Sequence, residues 1–381
     1  MLAHGTPSDR TIFVALELSR SSWLVAVSAP GWIKVSKHRV EAGDGAGLIA
    51  LLAKVKEDAE RRVGTGLAVV TIQEAGLDGF WLHRLLVANG VDSHVVHAAS
   101  LQVDRRQRRA KTDAIDAEGL LRALMAHARG ERRVCSMVPP PTPEDEDLRR
   151  VARERENLMK ERIRHTNRVK VLLGGQGIID YEPMRADRKV RLVALCTGDG
   201  RPLPPWLAAE IGRELDRLEL VLSQLSSVEA ERDRLLLAAR EAEEASPADP
   251  VPLLMRLKGI GPEFATALGL EAFFRHFGNR REVAAYAGLA PSPWKSGGID
   301  REQGISKAGN PRLRRTMVEL AWMWLRHQPD TAASRWFRER AGRAGGRVRR
   351  IAIVAMARKL LVALWRYVSE GVVPEGAVLK A

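Results

Sequence analysis

The sequence predicts an α/β domain at its N-terminal end, then a long helical, coiled-coil-like spacer, then a mainly α-helical C-terminal domain. Three observations carry that prediction. Short β-branched apolar runs alternate with helically spaced leucines as far as Ala126. A Pro-rich acidic stretch, VPPPTPEDE from Val138 to Glu146, then breaks the pattern. Beyond it lie long charged segments whose apolar residues recur three and four apart.

The first run, TIFVAL from Thr11 to Leu16, is short, β-branched and apolar, as a buried strand is. Trp23 to Ala29 and Ile33 to Val40 follow after short turns, so three strands form a meander. Gly43 to Gly47 is a turn, and Leu48, Leu51, Leu52 and Val55 share one face of a helix that ends at Arg61. Leu67 to Ile72 is a fourth strand, Trp81 to Ala88 a helix and Val91 to Val96 a fifth strand. Ala114 to Ala126 is a helix that turns Leu120, Leu121 and Leu124 inward. The order β-β-β-α-β-α-β-α is typical of ribonuclease-H-like domains and differs from the strict βαβαβ of a dinucleotide fold.

This first domain is expected over residues 8–137. A charged helix follows from Leu148 to Leu173, then a Gly-rich break (Gly174 to Gly177) and PLPP (Pro202 to Pro205). A second long helix, Trp206 to Glu244, carries Leu215, Leu218, Val221, Leu222 and Leu225 on one stripe. Two such helices make either an antiparallel hairpin or an intermolecular coiled coil. The spacer, 144–245, therefore reads as a structural strut or an oligomerisation element. SPADPVP (Ser246 to Pro252) punctuates the chain again, and a third domain over 251–370 holds many of the strongly basic stretches.

Charge narrows the partners. The 381 residues include 61 Lys and Arg against 47 Asp and Glu, a net charge of +14. Such a chain attracts an acidic polymer, because each phosphate neutralised releases condensed counterions. The 45% hydrophobic content excludes wholesale disorder. Two cysteines, Cys135 and Cys196, exclude a disulfide scaffold and a cysteine-built zinc site, and they suit a reducing cytosol. MLAHGTPSDR has no apolar signal-peptide core, and the most membrane-like run, Ile351 to Trp365, is broken by Arg358 and Lys359. The expectation is a soluble intracellular protein with no membrane partner.

Four carboxylates stand at element ends. Glu17 closes the first strand and Glu74 lies just past the fourth; in a ribonuclease-H-like sheet these strands are neighbours. Asp113 and Asp116 are three apart at a helix start and share a face. Carboxylates gathered this way repel unless a hard divalent cation, most simply Mg²⁺, is present. Two such ions about 4 Å apart serve phosphoryl transfer. The plain alternative is two strand-end acids and a helix cap in KTDAID. Arg105, Arg106, Arg108, Arg109 and Lys111, immediately upstream, are placed to hold a phosphate backbone beside the aspartates.

The C-terminal domain opens with LLMRLKGIGPEFATALGL, Leu253 to Leu270. Its Gly259-Ile260-Gly261 turn between apolar helical stretches matches a helix-hairpin-helix that offers backbone N–H groups to phosphate; a plain helical turn is the alternative. Further on, Ser296 sits in Trp-Lys-Ser-Gly-Gly, where Gly297 and Gly298 permit close approach of a ligand. Lys295, Arg301, Lys307, Arg312, Arg314 and Arg315 surround it in sequence. A serine attacks phosphorus only when a base takes its proton and cations stabilise the charge. Here the cations are plain and the base is not, so Ser296 by itself reads as a loop hydroxyl. His276 and His327 are the nearby imidazoles.

Together these segments resemble one family. In order they are the acid-tipped first strand, QEAGLDGFWLHR, RRAKTDAIDAEGLL, the helical spacer, LKGIGP, AAYAGLAP, SGG and ISKAGNPRLRR. The chain is similar to insertion-sequence transposases of the IS-one-ten family, which join an N-terminal DEDD, RuvC-like domain to a C-terminal serine domain. They are related to the pilin-gene inverting recombinases and are described as bridge-RNA-guided recombinases. The resemblance implies that Asp113 and Asp116 are the final aspartate pair. It implies that Glu74 is the family glutamate, with Gln73 a rival one residue away. Glu17 stands where the family usually has aspartate, and Ser296 is matched to the nucleophile. It further implies Mg²⁺ at the carboxylates, activation of Ser296 and a covalent phosphoserine link to DNA. The implied site is composite, with carboxylates from one subunit and serine from another in a dimer or tetramer. A structured non-coding guide (bridge) RNA pairs with double-stranded donor and target DNA. The competing readings are a RuvC-like endonuclease that uses water, and a non-catalytic nucleic-acid-binding remnant.

Overall fold

Residues 10–76, 80–101, 112–131, 133–241, 250–296, 299–342 and 344–380 are described by a computed structural model of the chain, with backbone alone at 99, 238–241, 294–296 and 299–302. The chain falls into two units, Met1–Thr142 and Pro143–Ala381.

In the first unit the β-branched runs form five strands, β1 (Thr11–Glu17), β2 (Ser22–Ser28), β3 (Ser36–Glu41), β4 (Ala68–Glu74) and β5 (Asp92–Val96), in the order β3-β2-β1-β4-β5. β1, β2 and β3 are antiparallel neighbours; β4 joins β1 in parallel and β5 joins β4 in parallel. The helices are α1 (Gly45–Val63), α2 (Trp81–Ala88) and α3 (Asp113–Ala128). Alternation along the strands decides which helix covers which face. Ile12, Val14 and Leu16 pack with Leu48, Leu52, Leu82 and Leu86 of α1 and α2. Phe13, Ala15 and Ile72 pack with Ala117, Leu120, Leu121 and Leu124 of α3. Each such buried leucine contributes on the order of 2 kcal/mol. The sequence-expected element order is the observed one. The third strand starts three residues later than expected, because a turn occupies that stretch and leaves Ile33 fully exposed.

The two edges of this sheet differ. β3 is the outer strand on one side and carries Lys37, His38 and Arg39. On the other side, Val96 of β5 bridges Met137 antiparallel, and Val138 N–H donates to Val95 O at 2.7 Å.

The second unit begins with α4 (Pro143–Gly174), α5 (Arg188–Val193) and α6 (Pro205–Glu241). α4 and α6 run antiparallel, as the pairs Arg155–Glu229, His165–Glu214 and Arg168–Glu210 require. Leu158 packs with Val221, Leu225 and Val228, and Val169 and Leu173 pack with Ile211, Leu215 and Leu218. The apolar stripe is thus buried within one chain as a hairpin. The remaining elements are α7 (Pro250–Met255), α8 (Pro262–Leu268), a π-turn over Gly269–Phe273, α9 (Arg280–Tyr286), β6 (Pro291–Ser296), β7 (Ile299–Ile305), α10 (Pro311–His327), α11 (Ala332–Ala341) and α12 (Gly346–Glu370). Leu254, Leu268, Met317, Leu320, Trp324, Leu360 and Leu364 form their core. No helix among the described residues is long and apolar enough to cross a membrane.

Candidate active site and nucleic-acid interface

The parallel register pairs Leu16 with Gln73, so Glu17 and Glu74 are lateral neighbours one step beyond the last pair. Both have the strand parity of Phe13, Ala15 and Ile72, the face covered by α3. Gln73 has the opposite parity; it is 1% exposed, and neither its side-chain nitrogen nor its oxygen has a hydrogen-bond partner among the described residues. Alternation therefore distinguishes Glu74 from Gln73. On α3, Asp113 and Asp116 occupy the first turn, where the helix dipole favours negative charge. The cap is made by Thr112, whose Oγ1 accepts from Ile115 N–H, so neither aspartate is needed for it. All four donors are carboxylates, a set that suits a hard divalent cation. Among the described residues, however, no three His, Cys, Asp or Glu side chains stand close enough together to hold one ion. The sheet presents Glu17 and Glu74 on the face that α3 covers, and the four acids do not converge on one ion position. Arg105, Arg106, Arg108, Arg109 and Lys111 lie outside the described residues.

Ser296 ends β6, opposite Ile299 of β7, at the tip of a two-stranded hairpin. Gly297 and Gly298 lie outside the described residues. Lys295 pairs across the hairpin with Asp300, and Arg301 with Trp294. The sequence reading foresaw the turn but not these strands, since Pro291 and Pro293 weaken the strand signal.

The base of the hairpin is built closely. Ser306 N–H donates to Ala290 O (2.8 Å), Lys307 N–H to Gly288 O (3.2 Å) and Asn310 N–H to Tyr286 O (2.7 Å). Gly309 has φ +141°, and a Cβ there would stand 2.5 Å from Tyr286 O and 2.6 Å from Gly288 N. Lys307 itself is left-handed, with φ +57°. Asn310 caps α10 by accepting from Arg312 and Leu313 N–H, and its Nδ2 donates to Glu271 Oε2 at 3.1 Å. Glu271 sits in the π-turn, 8% exposed, and also receives Arg312 (3.3 Å) and Arg153 of α4 (3.4 Å). Asn-Pro ahead of a helix is a readable cap signature. Glu271 and Glu156 carry no comparable sign, because their partners are far away in sequence.

Several cations expected at phosphate are already engaged. Arg312 pairs with Glu156 at 2.7 Å, Arg315 pairs with Glu156 and lies 3.8 Å from Glu319, and Arg314 donates to Lys307 O at 2.9 Å. Burial pushes the Glu156 carboxyl up, but hydrogen bonds from Lys160 and Arg315 outweigh it and hold the group below the usual carboxylate range. Glu156, Lys160, Arg312 and Arg315 border a cavity of about 310 Å³ beside Thr266 and Glu263.

The Gly259 turn joins α7 to α8. Gly259 has φ +87°, and a Cβ there would stand 2.7 Å from His327 Cβ. Gln328, 1% exposed, donates to Lys258 O at 2.9 Å, and Lys380 Nζ donates to Ile260 O at 2.6 Å. The turn's carbonyls are thus taken up inside the fold, while a Cβ at Gly261 would meet open space.

Comparison with known proteins agrees with this architecture. Residues 19–176 match the model of the DEDD transposase of IS110, described as a transposase, and residues 251–336 match the model described as the transposase IS116/IS110/IS902 family. The y4rJ protein of Sinorhizobium fredii, which bears a transposase name, is 58% identical over 374 residues, 97% of this chain and 94% of that one. The transposase for insertion sequence element IS1328 of Yersinia enterocolitica is 26% identical, over 69% of this chain and 73% of its own. That for IS1111A of Coxiella burnetii is 25% identical, over 78% and 76%. The chain belongs to the IS116/IS110/IS902 family of insertion-sequence transposases.

Proposed function

We propose that this transposase cuts and exchanges DNA strands through a covalent phosphoserine intermediate. The Ser296 hydroxyl oxygen attacks a DNA phosphorus and gives up its proton to a carboxylate. The bond from phosphorus to the leaving deoxyribose oxygen breaks, and that oxygen takes a proton. Because a phosphodiester is exchanged for a phosphodiester, the reverse attack by another strand's hydroxyl rejoins DNA without ATP. Glu17, Glu74, Asp113 and Asp116 are the residues that would hold Mg²⁺, and the ion would supply charge stabilisation to the phosphoryl group. The shared α3 face of Glu17 and Glu74 carries this reading.

Lys295, Arg301 and Lys307, on and beside the Ser296 hairpin, hold the phosphate backbone, as do the N–H groups of Gly259 and Gly261 in the helix-hairpin-helix turn, whose Ile260 N–H donates to Leu257 O at 3.1 Å. A structured guide RNA selects donor and target by base pairing, which basic side chains on phosphate do not do. The protein acts as a homo-oligomer in the cytoplasm, at the nucleoid.

The test uses the element's DNA ends and its non-coding RNA with Ser296→Ala and Asp116→Ala. Ser296→Ala is expected to lose both recombination and the protein–DNA adduct. Asp116→Ala is expected to lose activity and keep RNA binding. Recombination by Ser296→Ala would end the serine mechanism. Cleavage without an adduct would favour hydrolysis by water.

A further inference from the structure

The arginines of the second unit fall into two groups. In one group, Arg153 and Arg155 of α4 and Arg312 and Arg315 of α10 are neutralised by carboxylates of the same unit. Another group is not. From Arg335 to Lys359 the chain carries nine basic residues and one acidic residue, Glu339. Arg338, Arg340, Arg347, Arg349 and Arg350 are exposed. None of these five makes an ion pair among the described residues; Arg335 alone of the described stretch pairs, with Glu375. Unpaired guanidiniums crowded on one surface repel each other, so the arrangement costs stability unless something anionic meets it.

Aromatic rings hold two of these arginines, Arg340 and Arg349, and also Lys359, without cancelling their charge. The Arg349 guanidinium lies 5.9 Å from the centre of Trp322, which is 40% exposed. Trp322 meets Phe337 of α11 edge-on at 5.9 Å. Arg340 and Lys359 lie over Trp336, at 6.0 and 4.8 Å. Cation–π contacts orient a guanidinium and leave its N–H fork open to phosphate. The N-terminus of α12 adds to the positive potential, for Gly345 caps it with no side chain and a Cβ at Gly345 or Gly346 would meet nothing.

We propose that the surface of α11 and the first turns of α12 is a binding site for the phosphate backbone of a nucleic acid, separate from the Ser296 hairpin. It is gripped by Arg338, Arg340, Arg347, Arg349 and Arg350. Arg312 and Arg315, by contrast, brace α10 against α4. This rests on the reading of the chain as a nucleic-acid enzyme.

The experiment titrates full-length protein against a labelled DNA duplex and a labelled RNA hairpin, both of arbitrary sequence, across a salt series. The triple variant Arg347→Ala, Arg349→Ala, Arg350→Ala is expected to bind at least tenfold more weakly at low salt. The slope of log affinity against log salt should flatten by about two to three, near 0.9 for each phosphate that no longer meets a cation. Arg338→Glu with Arg340→Glu should act in the same direction from α11, covering the case in which the triple variant does not fold. Loss on the RNA probe alone assigns the site to RNA, and loss on the duplex alone assigns it to DNA. Arg312→Ala with Arg315→Ala should lower Tm and leave the slope nearly unchanged. Wild-type affinity and slope in both patch variants, on both probes, would overturn the proposal and leave the parent reading standing. Wild-type protein that binds neither probe overturns both.

Discussion

Gln73 and Glu74 are consecutive residues of β4, and a strand sends them to opposite faces. The Glu74 side faces α3, and the Gln73 side faces α1 and α2, where its amide is buried without a partner among the described residues. An unpaired buried amide costs about 1–3 kcal/mol, a penalty that an apolar residue of similar length does not incur. Gln73→Leu is therefore expected to keep strand exchange and to hold or raise Tm. Glu74→Gln, nearly isosteric, is expected to fold normally and lose exchange. Thermal melts and a recombination assay on the two variants check this; a dead Gln73→Leu protein with a normal melt would move the ligand to the neighbouring position.

At the scale of elements, the unit that matters is the β6–β7 hairpin with its footing. Gly288, Gly309 and Asn310 bring two loops into backbone contact, and Glu271 fastens Asn310 and Arg312 to the π-turn. Gly309→Ala would put a methyl group against backbone atoms that cannot swing away, at a backbone angle that disfavours a side chain. We expect about 2 kcal/mol or more of destabilisation, felt first in the hairpin, and loss of the protein–DNA adduct while far-UV circular dichroism stays near wild type. An Ala variant with normal adduct yield would separate the footing from the chemistry. This is also where sequence reading stops. The strands and helices of the first unit follow from period-2 and 3.6-residue patterns, and the Asn310-Pro311 cap from residue type. The proline-bearing hairpin has no pattern of its own, and the Glu156 and Glu271 joints depend on residues brought together only by the fold.

At the scale of the whole molecule, the α4–α6 stripe buries Leu215, Leu218, Val221 and Leu225 within one chain. Leu225→Asp should then lower Tm by the same amount at every protein concentration. A melt that shifts with concentration would instead make the stripe part of an intermolecular seam. The net charge of +14 also gains a location. Arg155 and Arg168 of α4 are cancelled by Glu229 and Glu210 of α6, whereas Arg338 and Arg340 of α11 and Arg347, Arg349 and Arg350 of α12 make no ion pair among the described residues.

The two edges of the first sheet have a bearing on how the protein survives crowding. An exposed strand edge is a template on which further chains add and aggregate. Here one edge is occupied by the chain itself at Met137 and is followed at once by three prolines, which donate no ladder hydrogen bonds. The other carries Arg39 and the Lys37–Glu118 ion pair (2.6 Å), so an incoming strand would have to accommodate charged side chains along this edge. Copies brought close together at high local concentration are thereby kept from fusing sheet edge to sheet edge.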